Sequence, residues 1–371
     1  MKQRIAIALT GVALLLLAAR IAETKQPADI YLRHNLVSDL HAHAEHLDPK
    51  LVNPWGIATA PGGPFWISDN GTGVSTVYDT DGRGFPHGSP LVVTIPPPKG
   101  GMPPAAPTGI VFNGTASFAL NTGNPAFFIF ATEDGTISGW NPKVDPQNAI
   151  LKVDNSSSGA VYKGLATGNN GKGDLLYATN FHAGTIDVFD STFSPATLSG
   201  TFSDPMVPAH FAPFGIENIG GKLYVTYAVQ DAAAHDDVAG PGNGLIDVFD
   251  TNGNLLERLV TGGVLNSPWG LALAPAGFGD LGGTLLVGNF GDGTIHGFHP
   301  ATGALVGQIR IPSGRPLVIQ GLWGLIFGNG GSGGDLGVLY FTAGIPGPGN
   351  VEDHGLFGFI RPQHHDGDDR D

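Results

Sequence analysis

Six copies of one short pattern, evenly spaced, constrain this chain more tightly than any other feature. They read Asn53-Pro-Trp-Gly-Ile57, Ala106-Pro-Thr-Gly-Ile110, Tyr162-Lys-Gly-Leu165, Ala212-Pro-Phe-Gly-Ile216, Ser267-Pro-Trp-Gly-Leu271 and Gly321-Leu-Trp-Gly-Leu325. The shared glycines stand at 56, 109, 164, 215, 270 and 324, so the spacings are 53, 55, 51, 55 and 54 residues. A period this even marks a repeat architecture in which each unit packs on its neighbours.

Each copy continues in the same way. Leu175-Leu-Tyr-Ala-Thr-Asn180 leads through Phe181-His-Ala-Gly184 into Thr185-Ile-Asp-Val-Phe189, and Leu285–Asn289 leads through a glycine turn into Thr294–Phe298. Phe127–Thr132 and Thr136–Trp140 repeat the arrangement around Glu133-Asp-Gly135, and a further β-rich run such as Leu91–Ile95 or Val306–Ile311 often follows. Short segments rich in β-branched and aromatic residues, bounded by Gly, Asn and Asp, read as strands and hairpins. Composition agrees: with 58 Gly and 29 Pro among 371 residues, long helices are disfavoured. A hydrophobic share of 41% is too high for a disordered chain. Four antiparallel strands per unit, six times over, describe an all-β, six-bladed β-propeller. Asn35-Leu-Val-Ser38, ahead of the first copy, is placed to supply the outer strand of the last blade and close the ring. The expected organisation is a signal peptide at 1–19, a linker at 20–34, the propeller at 35–362 and an acidic, His-containing disordered tail at 363–371.

Charge bounds the partners. Eighteen Lys and Arg stand against 32 Asp and Glu, a formal net charge of −14, which leaves no basic footprint for nucleic acid or anionic membrane. Without Cys there is no disulfide, thiolate nucleophile or Cys-ligated zinc. Lys2 and Arg4 ahead of the apolar run Ile5–Ala19 read as an export signal, which predicts a periplasmic or extracellular location. Removing it takes away two positive charges and leaves the mature chain at −16, with no membrane span and a monomer expected.

On a propeller the connections into the inner strands and the turns between the second and third strands emerge on one face, and ligands gather where loops converge. Those turns carry Asp69 and Asn70, Glu133 and Asp134, Asn180 and His182, Asn289 and Asp292, and Glu352 to His354. Oxygen ligands with an occasional imidazole suit Ca²⁺ or another divalent cation, although Asx-Gly turns also bond to themselves. Blade four carries an insert, Gln230–Gly244, holding Asp231, His235, Asp236 and Asp237. Long loops in compact domains are commonly functional. Two residues after each motif glycine come Ala58, Val111, Ala166, Glu217, Ala272 and Ile326, so Glu217 is a carboxylate in an otherwise apolar column. Trp55, Trp269 and Trp323 stand beside the channel, to stack a ligand or to pack between blades. Asp79-Thr-Asp-Gly-Arg-Gly84 and Asp250-Thr-Asn-Gly-Asn254 lack the final Glu of a calcium loop and read as hairpins.

Leu51–Ile57, Phe65-Trp-Ile-Ser-Asp-Asn-Gly-Thr-Gly-Val-Ser-Thr76, Ala131–Trp140 and His235-Asp-Asp-Val-Ala-Gly-Pro-Gly-Asn-Gly244 resemble a family of exported bacterial propeller proteins, some of which end in a PEP-CTERM sorting signal. The resemblance implies export and a propeller and brings no activity with it; no C-terminal Pro-Glu-Pro with an apolar helix follows here. More distantly the blades are similar to NHL-type and gluconolactonase-like propellers, whose channel ion is held by Glu, Asn and Asp. Glu217, Asn180, Asn289 and Asp231 are chemically similar, without a residue-by-residue match.

The leading expectation is a binding protein taking a small molecule, polysaccharide or protein on the face of the second-to-third-strand turns, around a divalent ion. Its ligand-binding residues would be Asp69, Asn70, Trp55, Trp269, Trp323, Asp236 and Asp237, with Glu217, Asn180, Asn289 and His182 on the metal. The alternative is a metal-dependent lactonase or esterase with Asp231 or His235 as base. A structural matrix or surface protein is the third reading.

Overall fold

A computed structural model describes residues 30–363. The expected signal peptide and most of the expected tail lie outside the described residues. Six antiparallel sheets stand in a ring as a six-bladed propeller, and the helical content among the described residues is two 3₁₀ turns, Ser156–Ser158 and Gly279–Leu281. Strands are lettered a to d from the axis outward. Blade 1 is Pro54–Thr59, Phe65–Asp69, Val74–Tyr78 and Val92–Thr94. Blade 2 is Pro107–Phe112, Phe128–Thr132, Thr136–Trp140 and Ile150–Asp154. Blade 4 is Phe211–Ile219, Lys222–Val229, Leu245–Asp250 and Leu255–Thr261. Blade 5 is Pro268–Leu273, Leu285–Asn289, Ile295–Phe298 and Leu305–Gln308.

Blade 3 departs from the four-strand expectation. It keeps Tyr162–Asn169, Asp174–Asn180 and Thr185–Phe189, and beyond them only a single bridge joins Phe189 to Pro195. Proline has no N–H for a ladder. The chain then turns to blade 4, where Gly200 and Phe202 donate to the carbonyls of Asn252 and Gly253.

Blade 6 combines both ends of the propeller. Leu322–Phe327, Leu339–Ala343 and Leu356–Gln363 supply its a, b and c strands, and Ile30–Ser38 pairs antiparallel with the last as strand d. The closing strand begins at Ile30, five residues ahead of Asn35. Tyr31 explains the extension: it is buried against Phe278 of blade 5, and its hydroxyl donates to the Phe278 carbonyl at 3.2 Å. Closure leaves no free edge between first and last blades.

The repeated glycine has a common physical cause. In all six blades the a–b ladder slips at the motif, between Pro54 and Ile57, Pro107 and Ile110, Tyr162 and Leu165, Pro213 and Ile216, Pro268 and Leu271, and Leu322 and Leu325. In three of them the freed glycine N–H donates to a strand-b threonine: Gly164 to Thr179, Gly215 to Thr226 and Gly324 to Thr342, at 2.7–2.8 Å. Thr179 in turn donates to the Phe214 carbonyl of the next blade at 2.7 Å, and Thr342 to that of Trp55 at 2.5 Å. Inner strands therefore approach backbone to backbone. A Cβ on Gly56, Gly109, Gly164, Gly215, Gly270 or Gly324 would meet a backbone atom of the following blade at 2.5, 2.6, 2.9, 2.2, 2.4 and 2.7 Å respectively.

On the outside, Asp79, Asp190 and Asp250 each cap a c–d turn by accepting backbone N–H groups two and four residues on, at 2.8–3.1 Å. The two calcium-loop look-alikes are thus hairpins.

Gly215→Ala is expected to lower unfolding free energy by about 1–3 kcal/mol, the range for inserting a methyl group into a closed contact. Gly173→Ala, where an added Cβ meets nothing within 4 Å, is the control and should change it by less than about 0.5 kcal/mol. Urea unfolding of both variants checks this.

Candidate functional site

Around the axis, the position before the motif glycine holds Trp55, Thr108, Lys163, Phe214, Trp269 and Trp323. The aromatic members converge on the axis and, with Phe181, form one buried cluster against which Phe290 packs. Trp55 and Trp323 stack with ring centroids 3.4 Å apart, Trp269 meets both edge-on, and Phe290 stacks on Trp323 at 4.0 Å. Their N–H groups are used structurally, Trp269 donating to the Lys163 carbonyl and Trp323 to Asn53 Oδ1, both at 3.2 Å, while the Trp55 N–H is buried without an acceptor. The tryptophans thus neither line an open ligand groove nor sit between blades. They plug the channel on the b–c face, because large rings at neighbouring inner-strand positions fill the narrow axis.

Lys163 is the exception in this column. Its side chain is 2% exposed, and its ammonium lies 5.0 Å from the centre of the Trp55 ring and 5.8 Å from that of Phe181. A buried cation must be paired. Lys163 meets the carboxylate of Glu133, in the blade-2 b–c turn, and that of Asp236, in the blade-4 insert, at 3.3 Å. Burial lowers its pKa, but these carboxylates outweigh burial and hold it above the ordinary lysine range. Asp236 also bonds to His235 Nδ1 at 2.9 Å. That bond, the main cause, holds the Asp236 carboxyl down at about 2 and raises the His235 imidazole. Glu133, His235 and Asp236 each offer a ligand atom, all within 4.8 Å of one another.

The network continues sideways. Glu133 accepts from Asn70 Nδ2 at 2.8 Å, Asn70 accepts from Asn53 Nδ2 at 3.3 Å, and Asn53 also donates to Glu352 at 3.0 Å. Burial, reinforced by the charge of Glu133 and opposed by the Asn53 hydrogen bond, pushes the Glu352 carboxyl up to about 7. Burial likewise raises Asp237. Blades 2, 4 and 6 thus contribute acids around a single ammonium, and blade 1 contributes the amides of Asn53 and Asn70.

Asn70, His235 and Asp236 enter this cluster, with Asp237 at its margin. Asp231 instead shapes the insert, accepting from the backbone N–H groups of Ala233 and His235 at 3.1 and 2.9 Å. Asp69 is fully buried and accepts from the Thr76 N–H and hydroxyl at 3.0 and 2.8 Å. Asn180 accepts from the N–H groups of Val161 and Ala183 and donates to Asp187, and Asn289 donates to the Val264 carbonyl and to Thr294. These three end strand b and brace their own b–c turns. His182 is exposed beside Asn180.

Glu217 joins none of them. Asn180 pairs with Tyr162 at the plugged end of its inner strand, whereas Glu217 sits at the level of Ala166, four residues or about 13 Å further along. The expected metal set of Glu217, Asn180, Asn289 and His182 is therefore not assembled, and the lactonase-type site that required it has no ligand cage. Glu217 lines a cavity of about 460 Å³ at the other end of the channel.

Glu133 and Glu352 are among the ligand-type residues of the b–c turns in the sequence, whereas Lys163 stands outside those turns. For Lys163 the signal was present: it is the one cation in the column before the motif glycine, as Glu217 is the one acid in the column two residues beyond it.

These features define the class: a six-bladed β-propeller whose channel is plugged by aromatic residues beneath a charged cluster on the b–c face. The chain belongs to the family that includes two Acanthamoeba polyphaga mimivirus proteins, uncharacterized proteins R648 and L690. It is 37% identical to R648 over 300 residues, covering 78% of this chain and 72% of the relative, and 37% identical to L690 over 303 residues, covering 78% and 77%. These relatives are viral, whereas the resemblance read from the sequence is to exported bacterial proteins. No family model matches. Among solved structures, virginiamycin B lyase from Staphylococcus aureus superposes with a TM-score of 0.52 at 16% identity, covering 90% of this chain and 99% of that one. A Bacteroides thetaiotaomicron protein of unknown function also gives 0.52, at 10% identity, covering 91% and 76%. At such identities the likeness is one of fold.

A raised carboxyl pKa means that the fold favours the protonated form of Glu352. That contribution is complete below the ordinary Glu range, near about 4.3, and is lost as pH rises through about 7. Glu352→Gln should therefore gain in Tm relative to the parent between pH 5 and pH 8, by a few degrees. A Tm difference that does not change with pH contradicts the assignment.

Proposed function

We propose that this propeller is a binding protein that takes a divalent cation, and through it an oxygen-rich ligand, on the face of the b–c turns. The observation that carries the proposal is the convergence of Glu133, His235 and Asp236 from two blades onto one point above the aromatic plug. One imidazole with two carboxylates suits Mn²⁺ or Zn²⁺ as well as Ca²⁺. Lys163 balances only one of the two carboxylate charges of Glu133 and Asp236, so a further cation would complete the neutralisation of the cluster.

The plug shapes what binds. Beneath the cluster the axis is filled by tryptophan and phenylalanine rings, so the ligand would lie on the face, with polar side chains around its rim. This arrangement favours recognition over chemistry on a deeply enclosed substrate. The apolar run Ile5–Ala19 behind Lys2 and Arg4 supports export as part of the same reading. N-terminal sequencing of the mature protein tests that part.

Titration calorimetry with MnCl₂, ZnCl₂ and CaCl₂ tests the site. At least one ion is expected to bind with one-to-one stoichiometry. Glu133→Gln and Asp236→Asn should each weaken it at least about tenfold, equivalent to about 1.4 kcal/mol. Affinity should rise with pH through the His235 titration, because the ligand is neutral imidazole and the Asp236 hydrogen bond favours its protonated form. Absence of stoichiometric binding by all three ions, or binding unchanged in both variants, overturns the proposal.

A further inference from the structure

The opposite end of the channel is built differently. There the six inner strands enclose a cavity of about 460 Å³ whose wall includes Ala58, Val111, Ala166, Ala272 and Ile326. This is within the usual size of a small-ligand site. Its single ionisable group is Glu217, and no Lys, Arg or His lines it. Among the described residues Glu217 makes no ion pair; its carboxylate accepts from the Asn218 backbone N–H, while the Asn218 side-chain amide is committed to the Thr167 carbonyl at 2.7 Å.

A carboxylate that only stabilised the blade would be paired or replaced by the small apolar residues found at the same position elsewhere in the ring. One carboxylate is too few ligands for a metal ion. A wall of mostly apolar side chains, interrupted by Thr59, Thr167 and Asn218 and carrying one negative charge that no cation offsets, complements an organic cation with an apolar body. We propose that this cavity binds a small organic monocation, a primary alkylammonium of about hexyl size, through an ion pair with Glu217. The site lies at the far end of the channel from the metal cluster, and the two stand or fall separately.

Titration supports the same geometry. Glu217 is exposed to the channel, and desolvation by the surrounding wall, opposed by the Asn218 N–H bond, pushes its carboxyl up to about 7. A bound ammonium would draw that value down and release a proton in the neutral range. The alkylammonium itself stays protonated there, as its pKa is near that of lysine, about 10.4.

The test is calorimetric titration of the full chain with hexylammonium chloride, with hexanol as the neutral control. Hexylammonium should bind at pH 8 and at least about threefold more weakly at pH 5.5, because the Glu217 carboxyl is raised by the wall while its exposure to the channel limits the rise. Hexanol should bind at least about tenfold more weakly than hexylammonium at pH 8. Glu217→Gln should weaken hexylammonium binding at least about tenfold and abolish its pH dependence. Ile326→Trp, which narrows the cavity and leaves the carboxylate in place, should also weaken it, and serves if the first variant does not fold. No binding by the parent protein, equal binding of hexanol, or undiminished binding in the folded variants overturns the proposal.

Discussion

Neighbouring inner strands approach so closely that the motif glycine of each blade faces the backbone of the next, with no room for a Cβ at any of the six positions. Much else in the molecule follows from that contact. It requires the a–b ladder to slip at the motif, which frees the glycine N–H. In three blades a threonine collects that N–H, and in two of these the same hydroxyl bonds to the following blade. It also draws the ring tight enough for the residues just before the glycines to touch across the axis. Because a propeller has no core other than the contacts between blades, the closeness of the inner strands sets both the width of the channel and what can plug it.

The plug in turn divides the channel into two unlike ends. On the b–c face the aromatic rings leave no depth, so polar groups from the turns and the blade-4 insert accumulate above them. The buried Lys163 holds that layer together: its ammonium is covered by aromatic faces and anchors carboxylates from blades 2 and 4. At the other end the same column of strands presents short apolar side chains and a single acid. The contrast arises from two positions three residues apart on one strand type.

The repeat period, the blade count and the closing strand were legible because periodicity and turn chemistry are local properties of the chain. Glu217 was legible as an oddity for the same reason, by comparing equivalent positions. Its partners were not, since a column alignment says which blade a residue occupies and not at which end of the channel its neighbours lie. Asp69, Asn180 and Asn289 matched a ligand set in chemistry; they serve as turn braces because each ends a strand b, where carboxamide and carboxylate groups satisfy the adjacent backbone. The aromatic plug was hidden for a different reason. Side chains on an inner strand point either between blades or toward the axis, and only the closeness of the strands decides which. Lys163 reads in sequence as an ordinary strand cation, because its burial depends on carboxylates that come from two other blades. The extension of the closing strand to Ile30 depends on burial of Tyr31 against blade 5, a contact with no local signature.

The central claim is that the charged cluster above the plug is a cation site rather than a self-contained ion-pair network. Anomalous diffraction from crystals grown with Mn²⁺ tests it most directly. A cation site requires an anomalous peak within coordination distance of Glu133, His235 and Asp236, on the side of those groups facing away from Lys163. Crystals that contain Mn²⁺ in the lattice but show no density there, with Lys163 alone bridging Glu133 and Asp236, would contradict it.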